Sequence, residues 1–567
     1  MPVLRPFQLV TVLALSALVA VPLHARGTAG AYLAARHASF DSDFVKAAEY
    51  YTRALALDSS NPSLMENAIG SNVSLGQFDR ALPIANRMLR GQHRSQVAAL
   101  VILADQVDRQ AYDEILTDLD AGATVGALID GLTRAWALMG EGRASDAMAA
   151  FDEVAAEEGL KSFALYHKSL ALASAGDFEG ADDILSGRAA GTLSGSRRTV
   201  LAHAQILSQL DRPQDALELI EASYGPNLAP TFDAMADQLR AGEVLDYDVA
   251  TTAREGLAEV FYSVGTVLSG EATSTYTLVY SRMSEFLNPG HVDAILLSAA
   301  LLEELEQYDL AVRSYDAVPL EHPAFVAAEI GRADAMLAAD KTEAAIEVLH
   351  QLAKAHPDLL VVQMTLGDTL RRLDRFAQAA TAYDRAIELI GAAETQHWVV
   401  FFARGITYER TDRWDEAEAD FRKALELRPD QPQVLNYLGY SLVELQINLD
   451  EALQMIEQAV AARPDDGYIT DSLGWVLFRL GRYDEAVTYM EKAAELLPVD
   501  PIINDHLGDV YWAVGRHLEA QFQWRRALSF DPEEEEALRI RKKLEVGLDI
   551  VLEEEGADPI AVANDDG

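Results

Sequence analysis

Near the C-terminal end, apolar residues recur at helical spacing and are cut by regular breaks. From Pro501, the residues Ile502, Leu507, Val510, Tyr511 and Val514 mark one apolar face, which Gly515-Arg516 interrupts. His517 to Ser529 reads as a second helix, with Leu518, Ala520, Phe522 and Leu528 among its apolar residues and a stop at Asp531-Pro532. The same helix–break–helix unit returns upstream, where Gly405, Gly439, Gly474 and Gly508 are separated by 34, 35 and 34 residues. An alanine follows each glycine (Ala417, Ala452, Ala486, Ala520), then a second alanine (Ala424, Ala459, Ala493, Ala527) and a proline (Pro429, Pro464, Pro498, Pro532). Gly508 and Ala520 are small enough for two antiparallel helices to approach closely, Ala527 leaves room for the next repeat, and Trp524 fills the space between. One such pair cannot bury its apolar surface alone, so the core exists only by stacking.

At these offsets the chain resembles the tetratricopeptide repeat, a helix–turn–helix of about 34 residues with L-G-x-x-Y, A, F, A and P in sequence. Leu507-Gly508-Asp509-Val510-Tyr511 and Leu473-Gly474 match it, as do Tyr408 and Phe421. Arg404 stands where leucine is usual and Met490 where an aromatic is, which predicts looser packing in those repeats. Upstream, Thr277, Ala311, Ala345 and Ala379 keep the 34-residue step, and a step of 38 to Ala417 accommodates Gly391 to Thr395. Ala216, Ala181 and Ala147 continue the register, then Ala81 and Ala47, with Ile115 in the slot between. The resemblance implies an all-α fold, a right-handed superhelical solenoid of about thirteen antiparallel helix pairs, in one or two blocks.

Ala216 and Thr277 are 61 positions apart, short of two repeats, with Pro226, Pro230 and Gly242 as breakers. Pro230 to Arg240 reads as an extra helix and Gly242 to Asp248 as a loop. This stretch is either a boundary between two solenoid blocks or one unusually spaced repeat. The organisation expected is a signal peptide at 1–25, a degenerate block at 28–225, an irregular connection at 226–248, degenerate repeats at 249–390 and strong repeats at 391–532. A capping helix over 533–552 puts Ala537, Ile540, Leu544, Leu548 and Val551 on one face, and 553–567 is an acidic tail expected to be disordered.

Arg5 followed by the charge-free run Phe7 to Val21 fits an export signal, too short for a comfortable membrane span. An uncleaved anchor and a buried first helix are the competing readings of that run. The chain has no cysteine, which removes disulfides, thiolate metal sites and cysteine catalysis. Together these point to an exported protein, expected in a bacterial periplasm with no integral membrane segment after cleavage. Lys plus Arg number 46 against 90 acidic residues, a net charge of −44 that argues against a nucleic-acid partner. Such acidity either draws basic partners or solvates a large surface.

No G-x-S-x-G elbow, H-E-x-x-H helix, phosphate-binding G-x-x-x-x-G-K-[ST] loop or D-x-D-x-D-G calcium loop occurs, so no catalytic residue, cofactor or metal is assigned. What remains is recognition. The resemblance implies that certain positions of each repeat's first helix line a concave groove. Carried onto this sequence, those slots hold Phe402, Tyr440, Trp475, Phe478 and Trp512, alongside Asp471, Asp505, Asp509, Asn436, Glu409 and Glu444. Aromatics there are costly to leave in water and resemble binding hot spots; alternatively they pack between neighbouring repeats as core. No lysine lies at the fifth slot of the four strong repeats, unlike the variant that grips acidic C-terminal peptides. An apolar or basic protein segment suits such a groove. The expected function is a non-enzymatic scaffold, with an envelope assembly factor acting through large surfaces as the alternative and a repeat-bearing enzyme as a third class.

Overall fold

A computed structural model describes residues 28–189, 196–224 and 230–556. The segments assigned to the signal peptide (1–25) and to most of the acidic tail lie outside the described residues. Within them the fold is all-α, with 31 α-helices and no strand. Contacts divide the chain into two units, Met1–Leu349 and His350–Gly567. The division falls within one helix, Thr342–Ala355, and the irregular stretch at 226–248 lies inside the first unit.

The small-residue register explains why the helices pair. Ala47, Ala81, Ala147, Ala181, Ala216, Thr277, Ala311, Ala345, Ala379, Ala417, Ala452, Ala486 and Ala520 are all fully buried, and Ile115 is nearly so. Each sits on the second helix of its pair, where only a small side chain lets the first helix lie close. In the second unit a Cβ on Gly405, Gly439, Gly474 or Gly508 would meet Phe421, Ile456, Met490 or Trp524 at 2.4–2.7 Å. The turns inside pairs are made by left-handed residues such as Asp374, Asp412, Gly481 and Gly515, and Asp466 and Asp500 cap the first helices that follow them.

In the first unit, six pairs run from Thr28 to Tyr224. The first helices of the second to sixth pairs are α3 (Pro62–Ser74), α5 (Gln96–Asp108), α7 (Ala127–Gly140), α9 (Lys161–Ser174) and α11 (Arg197–Gln209). The expected extra helix is α13 (Pro230–Arg240), followed by a loop that Gln205 and Gln209 hold through Asp248 and the Leu245 carbonyl. The next pair, α14 (Ala253–Leu268) and α15 (Ser274–Leu287), does more than stack on its neighbours. It packs against α3, α5 and α7, so the unit closes on itself. Gly256 lies against the Trp136 indole, where a Cβ would stand 2.4 Å away, and Phe286 stacks on Phe78 with centroids 4.3 Å apart. Arg254 pairs with Asp108 at 2.6 Å. A buried carboxylate fastens this closure. Glu259 accepts from Arg198 at 2.7 Å, His291 at 3.0 Å and Tyr166 at 2.8 Å. Burial alone would raise Glu259, but Arg198 and His291 hold its carboxyl well below the usual range.

The second unit contains five pairs from Leu360 to Leu528. The last four comprise α22 (Trp398–Glu409) with α23 (Trp414–Leu427), α24 (Pro432–Glu444) with α25 (Leu449–Ala462), α26 (Gly467–Arg479) with α27 (Tyr483–Leu496), and α28 (Pro501–Ala513) with α29 (His517–Leu528). The two atypical residues do not loosen their repeats. The Arg404 guanidinium donates to both oxygens of Asp420 at 2.7 and 2.8 Å and to Asp384 at 2.8 Å, and Met490 is fully buried against Gly474. The apolar assignment of α29 is partly corrected: Leu518 and Phe522 are 82% and 62% exposed, on the side away from Ala520 and Trp524. The single capping helix is also corrected. The segment forms two helices, α30 (Glu534–Val546) and α31 (Leu548–Glu555), broken at Gly547 with φ 86° and ψ 160°, a conformation that glycine alone adopts readily.

Candidate functional site

Four helices, α22, α24, α26 and α28, carry the slots assigned to ligand contact, and the structure sorts them into three groups. Phe402 is half-buried in an aromatic cluster, edge-on to Tyr437 with centroids at 5.7 Å and 6.0 Å from Phe421. It stands apart from the others.

The second group centres on Trp475. Its indole stacks on His506 at 4.1 Å and on Phe478 at 4.9 Å, and its Nε1 donates to Glu444 at 2.7 Å. Asp471 accepts from His506 Nδ1 at 3.0 Å, which fixes the imidazole plane against the indole. Burial disfavours the imidazolium, yet the Asp471 carboxylate outweighs it and leaves His506 above its ordinary value. Trp475, Phe478 and Asp471 are buried, while Tyr440 keeps partial exposure. Burial and then the carboxylates of Glu444, Asp471 and Glu536 push the Tyr440 phenol up. Glu536 belongs to α30, so the start of that helix lies near α24.

The third group is covered by the chain's own end. Lys543, on α30, is only 1% exposed, and its ammonium donates to Asp505 at 2.7 Å and to both oxygens of Asp509 at 2.7 Å. Trp524 Nε1 donates to Asp509 at 2.9 Å, and Arg539 stands 3.7 Å from Asp509 and 3.9 Å from Asp505. Burial pushes Asp509 upward against the opposing pull of Lys543 and Arg539. Trp512 is half-buried; it stacks on His517 at 4.2 Å and donates from Nε1 to Asp549 of α31 at 2.9 Å. The α30–α31 hairpin is itself clasped by Arg539–Glu555 at 2.8 Å and by Lys542–Glu554.

Sequence reasoning missed Lys543 as a member of this face and did not anticipate that His506 is buried in it. Lys543 had a signal, because it lies three residues after Ile540 on the apolar side of its helix, where a lysine needs an anionic partner. The arrangement offers aromatic planes edged by carboxylates, which suits apolar or cationic side chains.

Models described as tetratricopeptide repeat match residues 328–358, 398–431 and 446–501. A TPR repeat-containing protein of Pseudomonas aeruginosa is 27% identical over 194 residues, covering 34% of this chain and 32% of that protein. The match thus spans about a third of that relative's length. Among solved structures, the APC/C hetero-tetramer Cut9-Hcn1 is 13% identical with a TM-score of 0.36, over 91% of this chain and 96% of that one. A tetratricopeptide repeat protein from Parabacteroides merdae is 16% identical with a TM-score of 0.37, over 45% and 97%.

Proposed function

We propose that this chain, a tetratricopeptide-repeat protein, is a non-enzymatic scaffold that takes up a protein or peptide along the inner helices of its C-terminal repeats. Proteins built from this repeat serve in general as protein-interaction scaffolds. The observation that carries the finer reading is the aromatic and acidic cluster in which Tyr440 and Trp512 keep partial exposure over the buried Trp475, Phe478 and Asp471, with Asp505 and Asp509 beneath the C-terminal hairpin. Flat rings with carboxylates at their edges bind apolar and basic side chains well, because the rings supply area and the carboxylates supply direction. Capture of partners by the wild-type chain and by Trp475→Ala with Trp512→Ala, both checked for retained helicity, tests it. Equal capture of every partner discards the inner face as the binding surface.

The proposed setting is a bacterial periplasm, supported by the apolar run from Phe7 to Val21 behind Arg5. Mass mapping of the protein recovered from cells is expected to find a mature N-terminus near residue 26. An intact Met1 would contradict export by a cleaved signal. A second reading, an envelope assembly factor working through large surfaces, draws on the first unit. There α14 and α15 cover α3, α5 and α7, and Leu33, Phe40 and Val45 near the start of the described residues are exposed apolar side chains.

A further inference from the structure

The C-terminal hairpin sits on part of the surface assigned to the partner, and it does so with the chemistry expected of a partner. Its two cations, Arg539 and Lys543, are one helical turn apart and both face the Asp505–Asp509 pair. Without them, two carboxylates on α28 would lose the two cations paired with them, keeping the nearby His506 imidazole. The turn that delivers α30 differs from the earlier ones. Asp531 is left-handed at φ 55°, whereas the links from α23 to α24, α25 to α26 and α27 to α28 contain no left-handed residue. The hairpin is therefore entered by a turn unlike those between the strong repeats.

Its fit is also incomplete. Asp505 Oδ1 and Asn436 Oδ1, both on fifth slots of inner helices, are buried and accept no hydrogen bond among the described residues. A lysine ammonium acts as a point charge, while the planar arginine fork can serve two carboxylate oxygens at once. The ion pairs Arg539–Glu555 and Lys542–Glu554 join α30 to α31 and are at least one-third exposed, so the hairpin is held on the face by the buried Lys543 and by Ile540, Leu548 and Leu552.

We propose that α30 is an internal stand-in: the inner face of α24, α26 and α28 receives from the partner an amphipathic helix with two cations one turn apart, the second an arginine, which displaces the hairpin. This deepens the inner-face reading given above and rests on it. The displaced hairpin sets the threshold, since apparent affinity falls by the fraction of molecules in which the face is closed.

The probe is a fluorescent synthetic peptide copying residues 534–556 with Lys543→Arg, added to the full chain. Anisotropy reports binding, and hydrogen exchange reports the hairpin amides of 534–555. The expected result is saturable binding to the wild-type chain with faster exchange across 534–555. Binding is expected to be about tenfold tighter to the chain carrying Arg539→Ala and Lys543→Ala, and lost when the peptide carries Arg539→Glu and Lys543→Glu. If the double variant fails to fold, the wild-type exchange experiment still decides. No binding to the wild-type chain, or binding that leaves 534–555 fully protected, overturns the proposal. Partner capture that depends on Trp475 while the hairpin stays protected would sink displacement alone. Peptide binding that survives Trp475→Ala with Trp512→Ala, alongside unchanged partner capture, would sink the inner-face reading beneath it.

Discussion

The Cβ that Gly508 lacks would stand 2.4 Å from the indole of Trp524, which is fully buried and tied to Asp509. A rigid ring held at its Nε1 cannot yield, so Gly508→Ala is expected to destabilise the second unit by about 1–3 kcal/mol. A lower denaturant midpoint for that unit checks it; an unchanged midpoint contradicts the packing. Two buried histidines make opposite pH predictions. His506 is raised by Asp471, so its contribution is full below the ordinary histidine range and fades as pH rises through the folded value. His167 is lowered by burial to about 4 and accepts from Trp136, so the first unit weakens as pH falls from about 6.5 toward that value. Denaturant midpoints across pH, compared with His506→Gln and His167→Gln, read the two slopes. Slopes that survive substitution contradict the assignment. At this scale the sequence exposed the small residues well, because a glycine or alanine at a fixed period has one packing explanation. It concealed Lys543 and the Arg404 ion pairs, whose partners lie 16 to 38 residues away on other helices.

Helices were legible where apolar spacing and breakers agreed. Pro230–Arg240 and the last pair, Pro501–Ala513 with His517–Leu528, follow the expected bounds closely. The hairpin was not, because Gly547 sits inside a continuous apolar face and only its backbone shows the break. Gly547→Ala would force φ 86° on an alanine and bring a Cβ within 2.6 Å of Trp512. Such strain costs about 1–3 kcal/mol and should fall on α30 and α31 alone. Hydrogen exchange is expected to quicken across 534–555 and stay unchanged in α22 to α27. Uniform acceleration across the unit would show instead that the hairpin is an integral cap.

For the whole chain, period and composition announced a repeat array and left the closure of the first unit unseen. Contacts such as Gly256 with Trp136 and Gln96 with Tyr276 join residues more than a hundred positions apart, and no local pattern encodes them. The degenerate register there has a reason: helices that pack on distant partners answer to those partners as well as to their neighbours in the stack. The second unit, with its regular repeats, is where the binding reading lives. Site-specific photo-crosslinking in cells tests that reading most directly, with benzoylphenylalanine placed at Tyr440 or Trp512 on inner helices and at Leu518 or Phe522 on the side of α29 away from Ala520 and Trp524. The account predicts adducts of the same partner from the two inner positions and none from the α29 pair. Adducts from Leu518 and Phe522 alone would contradict it.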